Sequence, residues 1–388
     1  MKVIMSEIKK EMEKQGIKQK VIGPEIGSKN LSNNLSGKEQ MAFIPFVKLV
    51  NLIFKEEEGL ILNYIKRFLD KTTRDENIRV ALEWSIQTGH TDMLRTAIKK
   101  CKQIKGSAKN EKKKERDSKN ETHKQLAKIY ELFIKRNELN VERVDFFFKL
   151  EEIRNSTISR IEPEVLLKIG RLHYYSESGN YRGILDEVRF IETGNVTQNY
   201  LKDSFTLRVL EQKARALLKY ENDYKGANDV LKEILTYDRD LYAFSIINAL
   251  SLLAELNTLD NYDLANKYIV EAIRLSSKIK SSSSYARQER MLKSTHDFIQ
   301  LYHGRFNNLY LTDPAENIFY LIKKGDKESF QEAIKLLNEL ELTNGILSPF
   351  QLYYKAIATG EKRYLIESQR EFHRLGDFYY SRIPSSML

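Results

Sequence analysis

Apolar residues recur at helical intervals along most of the chain, and no strict apolar-polar alternation persists long enough to make a strand. Ser6 to Gln15 predicts an amphipathic helix with Ile8 and Met12 inward. Met41 to Phe54 predicts a more apolar one through Phe43, Phe46, Val47, Val50, Leu52 and Ile53. Between them, KQKVIGPEIGSKNLSNNLSG (18–37) reads as a helix around Gln19, Val21 and Ile22, a turn at Gly27-Ser28, and a second helix to Leu35. Ser28 is the expected N-cap of that second helix, and Leu31 and Leu35 dock it on the first at i, i+4. Residues 1–54 are thus expected to form a helix-turn-helix headpiece.

Further helices are expected over Gly59 to Leu69, Asp75 to Gln87 and Thr91 to Lys102, joined by the short breaks KTTRD and TGHT, so that neighbours run antiparallel. Lys102 to Lys119 holds almost no apolar residue and reads as a mobile charged loop, or as an arm contacting phosphates. Residues 55–120 are therefore linking helices with a basic loop at 102–119, and helices resume at Thr122.

A period then emerges within 121–388. LHYYSESGNYRGILDEVRFI, KARALLKYENDYKGANDVLKEIL, SLLAELNTLDNYDLANKYIVEAI, YLIKKGDKESFQEAIKLLNEL and YYKAIATGEKRYLIESQREF share one order: apolar helix, polar turn, aromatic, amphipathic helix. The aromatics Tyr181, Tyr224, Tyr262, Phe330 and Tyr364 lie 43, 38, 68 and 34 residues apart, and the gap of 68 is expected to hide a degenerate unit near Asn307 to Tyr310. Spacings of this order belong to tetratricopeptide-like helix pairs, whose stacking gives a right-handed superhelix with a concave face suited to an extended peptide. The fold class expected is all-α.

Charge adds a partner class. The formal net charge is +10, which favours an anionic partner, although residues 102–119 hold eight Lys/Arg against three Asp/Glu and so supply half of the surplus. In the headpiece, Gln19, Ser28, Lys29, Asn30, Ser32, Asn33, Asn34 and Lys38 form a face of amides, hydroxyls and lysines, and no carboxylate follows the turn before Glu39. Such groups suit base edges and phosphates of double-stranded operator DNA. A single cysteine, Cys101, excludes an intrachain disulfide and fits a reducing cytoplasm. No signal core or membrane-length apolar run is visible.

Catalytic chemistry finds no support. The six histidines form no HExxH and join no Cys/His cluster, and there is no phosphate-binding glycine loop. No catalytic residue, metal site or cofactor is expected, and the chain is not read as an enzyme.

NIRVALEW, SGNYRGI, FSIINALSLLAELNTLDNYDLANKY, ENIFYLIKKGDK and REFHRLGDFYYSRIP together resemble the arbitrium receptors (AimR) of temperate Bacillus phages. The resemblance covers most of the chain in order. It implies a cytoplasmic transcriptional regulator of the lysis-lysogeny decision in a bacterial host, which loses activity when an imported peptide of about six residues enters the repeat groove. It places Glu316, Asp377 and Tyr379 where the family holds the peptide's arginine, a sensible use of paired carboxylates. Arg79 falls within the first matching stretch. On the central inner helices Asp240 and Ser251 stand where the family has other groups, with Arg215 or Arg239 left to grip the peptide carboxylate. The family's extra C-terminal dimerisation helix is not found after Ile383, so a monomer is expected, or a homodimer through another surface. The alternative from the residues alone is a peptide-responsive repeat adaptor that inhibits a protein partner.

Overall fold

The computed structural model describes residues 1–55, 57–103, 113–138, 140–156, 160–277 and 283–388, with the side chains of 113–119 and 283–286 left aside. Every secondary-structure element among the described residues is helical. The chain divides into two compact units, Met1–Val141 with Phe148–Leu166 and Gly194–Ser204, and Glu142–Phe147 with Leu167–Thr193 and Phe205–Leu388.

The first unit holds α1 (Lys2–Lys14), α2 (Gln19–Glu25), α3 (Leu31–Leu35), α4 (Phe43–Phe54), α5 (Glu58–Lys71), α6 (Asp75–Gln87), α7 (Thr91–Gln103) and α8 (Lys113–Asn137). Ile4, Met5, Ile8 and Met12 form the buried face of α1, which packs on α3, α4 and α5. Its position is fixed by Arg67, which reaches from α5 to both oxygens of Glu7 at 2.7 and 2.9 Å. No gap falls at residue 54. Phe54 stacks on Tyr64 at 4.8 Å, Phe46 on Phe68 at 4.1 Å, and Phe43 meets Trp84 edge-on at 5.5 Å. Buried Asn77, on α6, accepts from Phe43 N and donates to Met41 O, so the start of α4 is held by a helix outside the headpiece. The helix expected from Thr122 begins earlier, at Lys113. The rest of the expected loop, residues 104–112, lies outside the described residues.

α9 (Arg143–Asn155), α10 (Ile161–Glu177) and α12 (Asn199–Ala216) contribute residues to both units. The second unit also contains α11 (Tyr181–Val188), a π-helical turn at Leu217–Glu221, α13 (Tyr224–Ile234), α14 (Ala243–Asn257), α15 (Tyr262–Ser276), α16 (Ser283–Tyr302), α17 (Pro314–Lys324), α18 (Lys327–Asn344), α19 (Pro349–Thr359), α20 (Lys362–Arg374) and α21 (Arg382–Ser385). From α13 onward each helix packs on the next, and α14 with α16 and α17 with α19 also pack side by side.

The period has a capping explanation. Tyr181, Tyr224 and Tyr262 are the first residues of α11, α13 and α15, and each follows an N-cap, Asn180, Asp223 or Asn261, that accepts a backbone N–H three residues on. Asp326 caps α18 in the same way through Ser329 N at 2.8 Å, with Phe330 one residue later. Two of these turns carry glycine three residues after the cap, where the capping side chain lies closest. A Cβ at Gly183 would stand 2.7 Å from Asn180 Nδ2, and one at Gly226 only 2.2 Å from Asp223 Oδ2.

The interval of 68 residues holds no pair near Asn307 to Tyr310. It holds one long helix, α16, and a turn pinned beneath it. Fully buried Asp297 accepts the N–H groups of Tyr310 at 3.0 Å and Leu311 at 2.6 Å, which explains why an irregular backbone is tolerated there. Beyond α20, the second unit brings its last segment back against its first pair. Gly179 and Gly376, both at positive φ, approach so closely that a Cβ on Gly179 would lie 2.6 Å from Leu375 O. Phe378 N donates to Lys219 O at 2.7 Å, and the fully buried Tyr379 donates its hydroxyl to Glu255 O at 2.7 Å.

Candidate functional site

Two sets of residues carry candidate chemistry, one in each unit. In the first, α2 closes at Gly27, whose φ of +74° allows Ser28 N to return to Gly23 O at 2.8 Å. Gly23 sits at the crossing with α3, where an added Cβ would come within 3.8 Å of Leu31 Cβ. Leu31 and Leu35 are buried, as their spacing requires. The helix between them is shorter than expected, a single turn of five residues.

Its cap also differs. Asn30, not Ser28, occupies the N-cap position, and Ser28 instead donates its hydroxyl to Asn34 Oδ1 at 3.0 Å. Asn34 is consequently buried at 7 % exposure and turned away from the outer face, with Nδ2 on Glu39 O at 3.4 Å. The outer face keeps Lys29, Asn30, Ser32 and Lys38 exposed, with Gln19, Ser28 and Asn33 half-buried. Glu39 does reach it, for its carboxylate accepts from Asn33 Nδ2 at 3.3 Å and Asn30 Nδ2 at 3.4 Å. Residues 1–54 carry nine lysines against five glutamates, so the headpiece as a whole is cationic, with Lys29 and Lys38 exposed beside α3.

In the second unit, polar side chains on α12, α14 and α16 form a continuous track. Glu211 accepts from Asn248 Nδ2 at 3.0 Å, and Asn248 Oδ1 in turn accepts from Gln288 Nε2 at 2.9 Å. Gln212 Nε2 lies 3.4 Å from Glu211 Oε1, and Arg215 stands 3.9 Å from the same carboxylate. Three buried atoms of this track find no hydrogen-bond partner among the described residues: Gln212 Oε1, Gln288 Oε1 and Arg215 Nε. Buried polar atoms are ordinarily satisfied, and here two acceptors and one donor without a partner gather on neighbouring helices.

Four residues on from Arg215, Lys219 is buried at 5 % exposure in the π-helical turn. Its ammonium lies 3.0 Å from Asp377 and 3.1 Å from Glu255, with the Tyr380 ring 4.0 Å away. Burial alone would depress the lysine's pKa; the two carboxylates outweigh it and hold the group charged above its ordinary range. Asp377 is therefore already neutralised within the chain, and Tyr379 is a core residue whose hydroxyl seals the end of α14.

The other expected residues are scattered. Glu316, at the start of α17, is buried with Oε2 unpartnered and Oε1 3.4 Å from Ser294 Oγ. Burial, reinforced by Asp313 and Asp297, pushes its carboxyl up to about 8. Arg239 and Asp240 are exposed in the turn before α14, with Arg239 paired to Glu271 on α15 at 3.0 Å. Ser251 is half-buried on α14. Arg79 belongs to the first unit, where Glu162 binds it. Of the set, only Arg215 joins the track. Gln212, Asn248 and Gln288 carried no motif, although Glu211, Arg215 and Lys219 do recur at i, i+4, i+8 as a polar stripe on an otherwise buried helix.

No helix of the described residues is long and apolar enough to cross a membrane, and no group of three or more His, Cys, Asp or Glu among them could hold a metal ion.

Comparison with known proteins agrees with this architecture. An uncharacterised protein of Bacillus anthracis is 27% identical over 247 residues, spanning 62% of this chain and 89% of the relative. The phAimR–ligand structure superposes with a TM-score of 0.70 at 18% identity, covering 89% of this chain and 96% of its own. Selenomethionine phAimR gives 0.68 at 19%, covering 98% and 95%, which takes in the headpiece. At such identities the likeness is one of fold. The model of the AimR transcriptional regulator-like family matches residues 57–388, and the chain belongs to that family of peptide-sensing transcriptional regulators.

Proposed function

We propose that the chain is a phage regulator of the lysis-lysogeny decision that binds operator DNA through the face around α3. A short communication peptide, seated on the α12–α14–α16 track, ends that activity. The observation that carries the reading is the track's set of unpartnered buried atoms. Gln212 Oε1 and Gln288 Oε1 match main-chain N–H groups, and Arg215 matches a main-chain carbonyl or a terminal carboxylate. A peptide supplies both kinds of group at regular intervals. The cationic, amide-bearing face of α3 supports the DNA half of the reading. Peptide acts by binding one conformation more tightly than another, since equal affinity for both shifts nothing.

Fluorescence anisotropy on labelled duplexes from beside the protein's own gene, with and without the short peptide encoded there, tests both halves. Lys29→Ala with Asn30→Ala and Asn33→Ala abolishes DNA binding and leaves peptide binding unchanged. Arg215→Ala preserves DNA binding and makes it insensitive to peptide. Peptide binding by a chain that retains no duplex would instead identify an adaptor whose headpiece meets protein.

A further inference from the structure

Resting on the reading of the α3 face as a DNA-binding surface, we propose that Glu39 is a positioning residue that sets which base that face selects. It orients the amides of Asn30 and Asn33 to read adenine.

Glu39 is itself held from several directions. Its N–H donates to Asn33 O at 3.2 Å, its carbonyl accepts from Asn34 Nδ2 at 3.4 Å, and Asn34 is fixed in turn by Ser28. The carboxylate then accepts one N–H from Asn30 and one from Asn33, one oxygen for each amide. An asparagine side chain has two N–H groups and one carbonyl, and a carboxylate can only accept. Each amide is thereby turned with Nδ2 toward Glu39, at 3.4 Å for Asn30 and 3.3 Å for Asn33, while its second N–H and its Oδ1 remain. One donor beside one acceptor is the pair that matches adenine N7 and N6 in the major groove. Without the carboxylate either amide could turn over, exchanging donor and acceptor and losing the preference.

The same residue has an electrostatic cost. Glu39 is an exposed anion beside Lys38 and Lys29, on a surface read as facing phosphates. Removing its charge strengthens binding to any duplex, whereas losing its hydrogen bonds weakens discrimination between duplexes. Affinity and selectivity are therefore expected to move in opposite directions, which neither a residue needed only for folding nor a simple repulsive charge would produce.

The test uses the full chain, peptide-free, against a random-sequence duplex pool, with sequencing of the retained fraction and anisotropy on pool DNA. The parent enriches adenine at two positions. Glu39→Ala retains total pool DNA at least as well as the parent and loses about tenfold of the adenine enrichment at each position, the scale of one bidentate base contact. Glu39→Gln keeps one acceptor and loses enrichment at one position only, which covers the case of an unfolded alanine variant. Unchanged adenine enrichment in both variants, or equal loss of enrichment and of pool affinity, overturns the proposal. Failure of the parent to retain any duplex overturns the DNA-binding reading itself and is seen before any variant is compared.

Discussion

Buried polarity is distributed differently in the two units. In the first, fully buried Glu83 accepts from Tyr130 at 2.7 Å and Ser204 at 2.6 Å, and Asn77 is bonded through both ends of its amide, while Trp84 Nε1 and both amide atoms of Gln125 keep no partner among the described residues. In the second, atoms without a partner at Gln212, Arg215 and Gln288 lie along one track, and another lies apart from it at Glu316. A satisfied network rigidifies a core, whereas an unpartnered buried atom is costly to keep. What differs is grouping: the second unit's unpartnered atoms at Gln212, Arg215 and Gln288 lie on neighbouring helices, where the proposed peptide would sit.

The strongest way to break the contrast is Lys219→Met. Two half-buried carboxylates, Asp377 and Glu255, lose their buried ammonium, and the second unit is destabilised by about 3 kcal/mol. The sole tryptophan, Trp84, belongs to the first unit, so its fluorescence transition reports that unit alone, with tyrosine near-ultraviolet circular dichroism following the tyrosine-rich second. Loss of the tyrosine transition at lower denaturant, with Trp84 unmoved, is the expected outcome.

Titration sharpens the contrast, because the units respond to pH with opposite sign. Glu316 has its folded pKa raised to about 8 from 4.5, so its neutral form is favoured in the fold. Its contribution is intact below pH 4.5 and is lost as pH rises toward 8, on the order of 4 kcal/mol. Glu316→Gln removes that loss, leaving the tyrosine transition more stable than the parent's at pH 8.5, by a margin that closes as pH falls below 4.5. The smaller effect belongs to His90, which burial lowers to about 4 from 6.5. Its stability contribution is full above pH 6.5 and falls away as pH drops through 4, by about 3 kcal/mol. His90→Gln should make the Trp84 transition less sensitive to acid across that range, and an unchanged acid slope would remove His90 from the account.

Much of the fold was legible because capping is local. Asn180-Tyr181, Asp223-Tyr224 and Asn261-Tyr262 announce helix starts within a few residues, and α6 runs over the expected Asp75–Gln87. The interval holding α16 misled because its turn is stabilised from a distance by Asp297, which no pattern near Asn307 betrays. The candidate sites were harder for the same reason. Lys219 meets Asp377 across 158 positions of sequence, so a carboxylate that seemed available was already paired. Glu39 lay just beyond the face it completes, and Asn248 and Gln288 gain meaning only when α14 and α16 lie side by side. Resemblance pointed to Glu316, and its burial was invisible in the sequence.

The meeting of Gly179 with Gly376 has an evolutionary consequence. An open array of repeats can gain or lose a unit at little cost, because each repeat touches only its neighbours. Here the last segment must land on the first pair, with Phe378 on Lys219 and Tyr379 on the end of α14. Insertion or deletion of one helix pair would carry that segment past its partners. A change in repeat number is therefore expected to break this closure, whereas substitutions and changes in turns such as the one beneath α16 leave it in place.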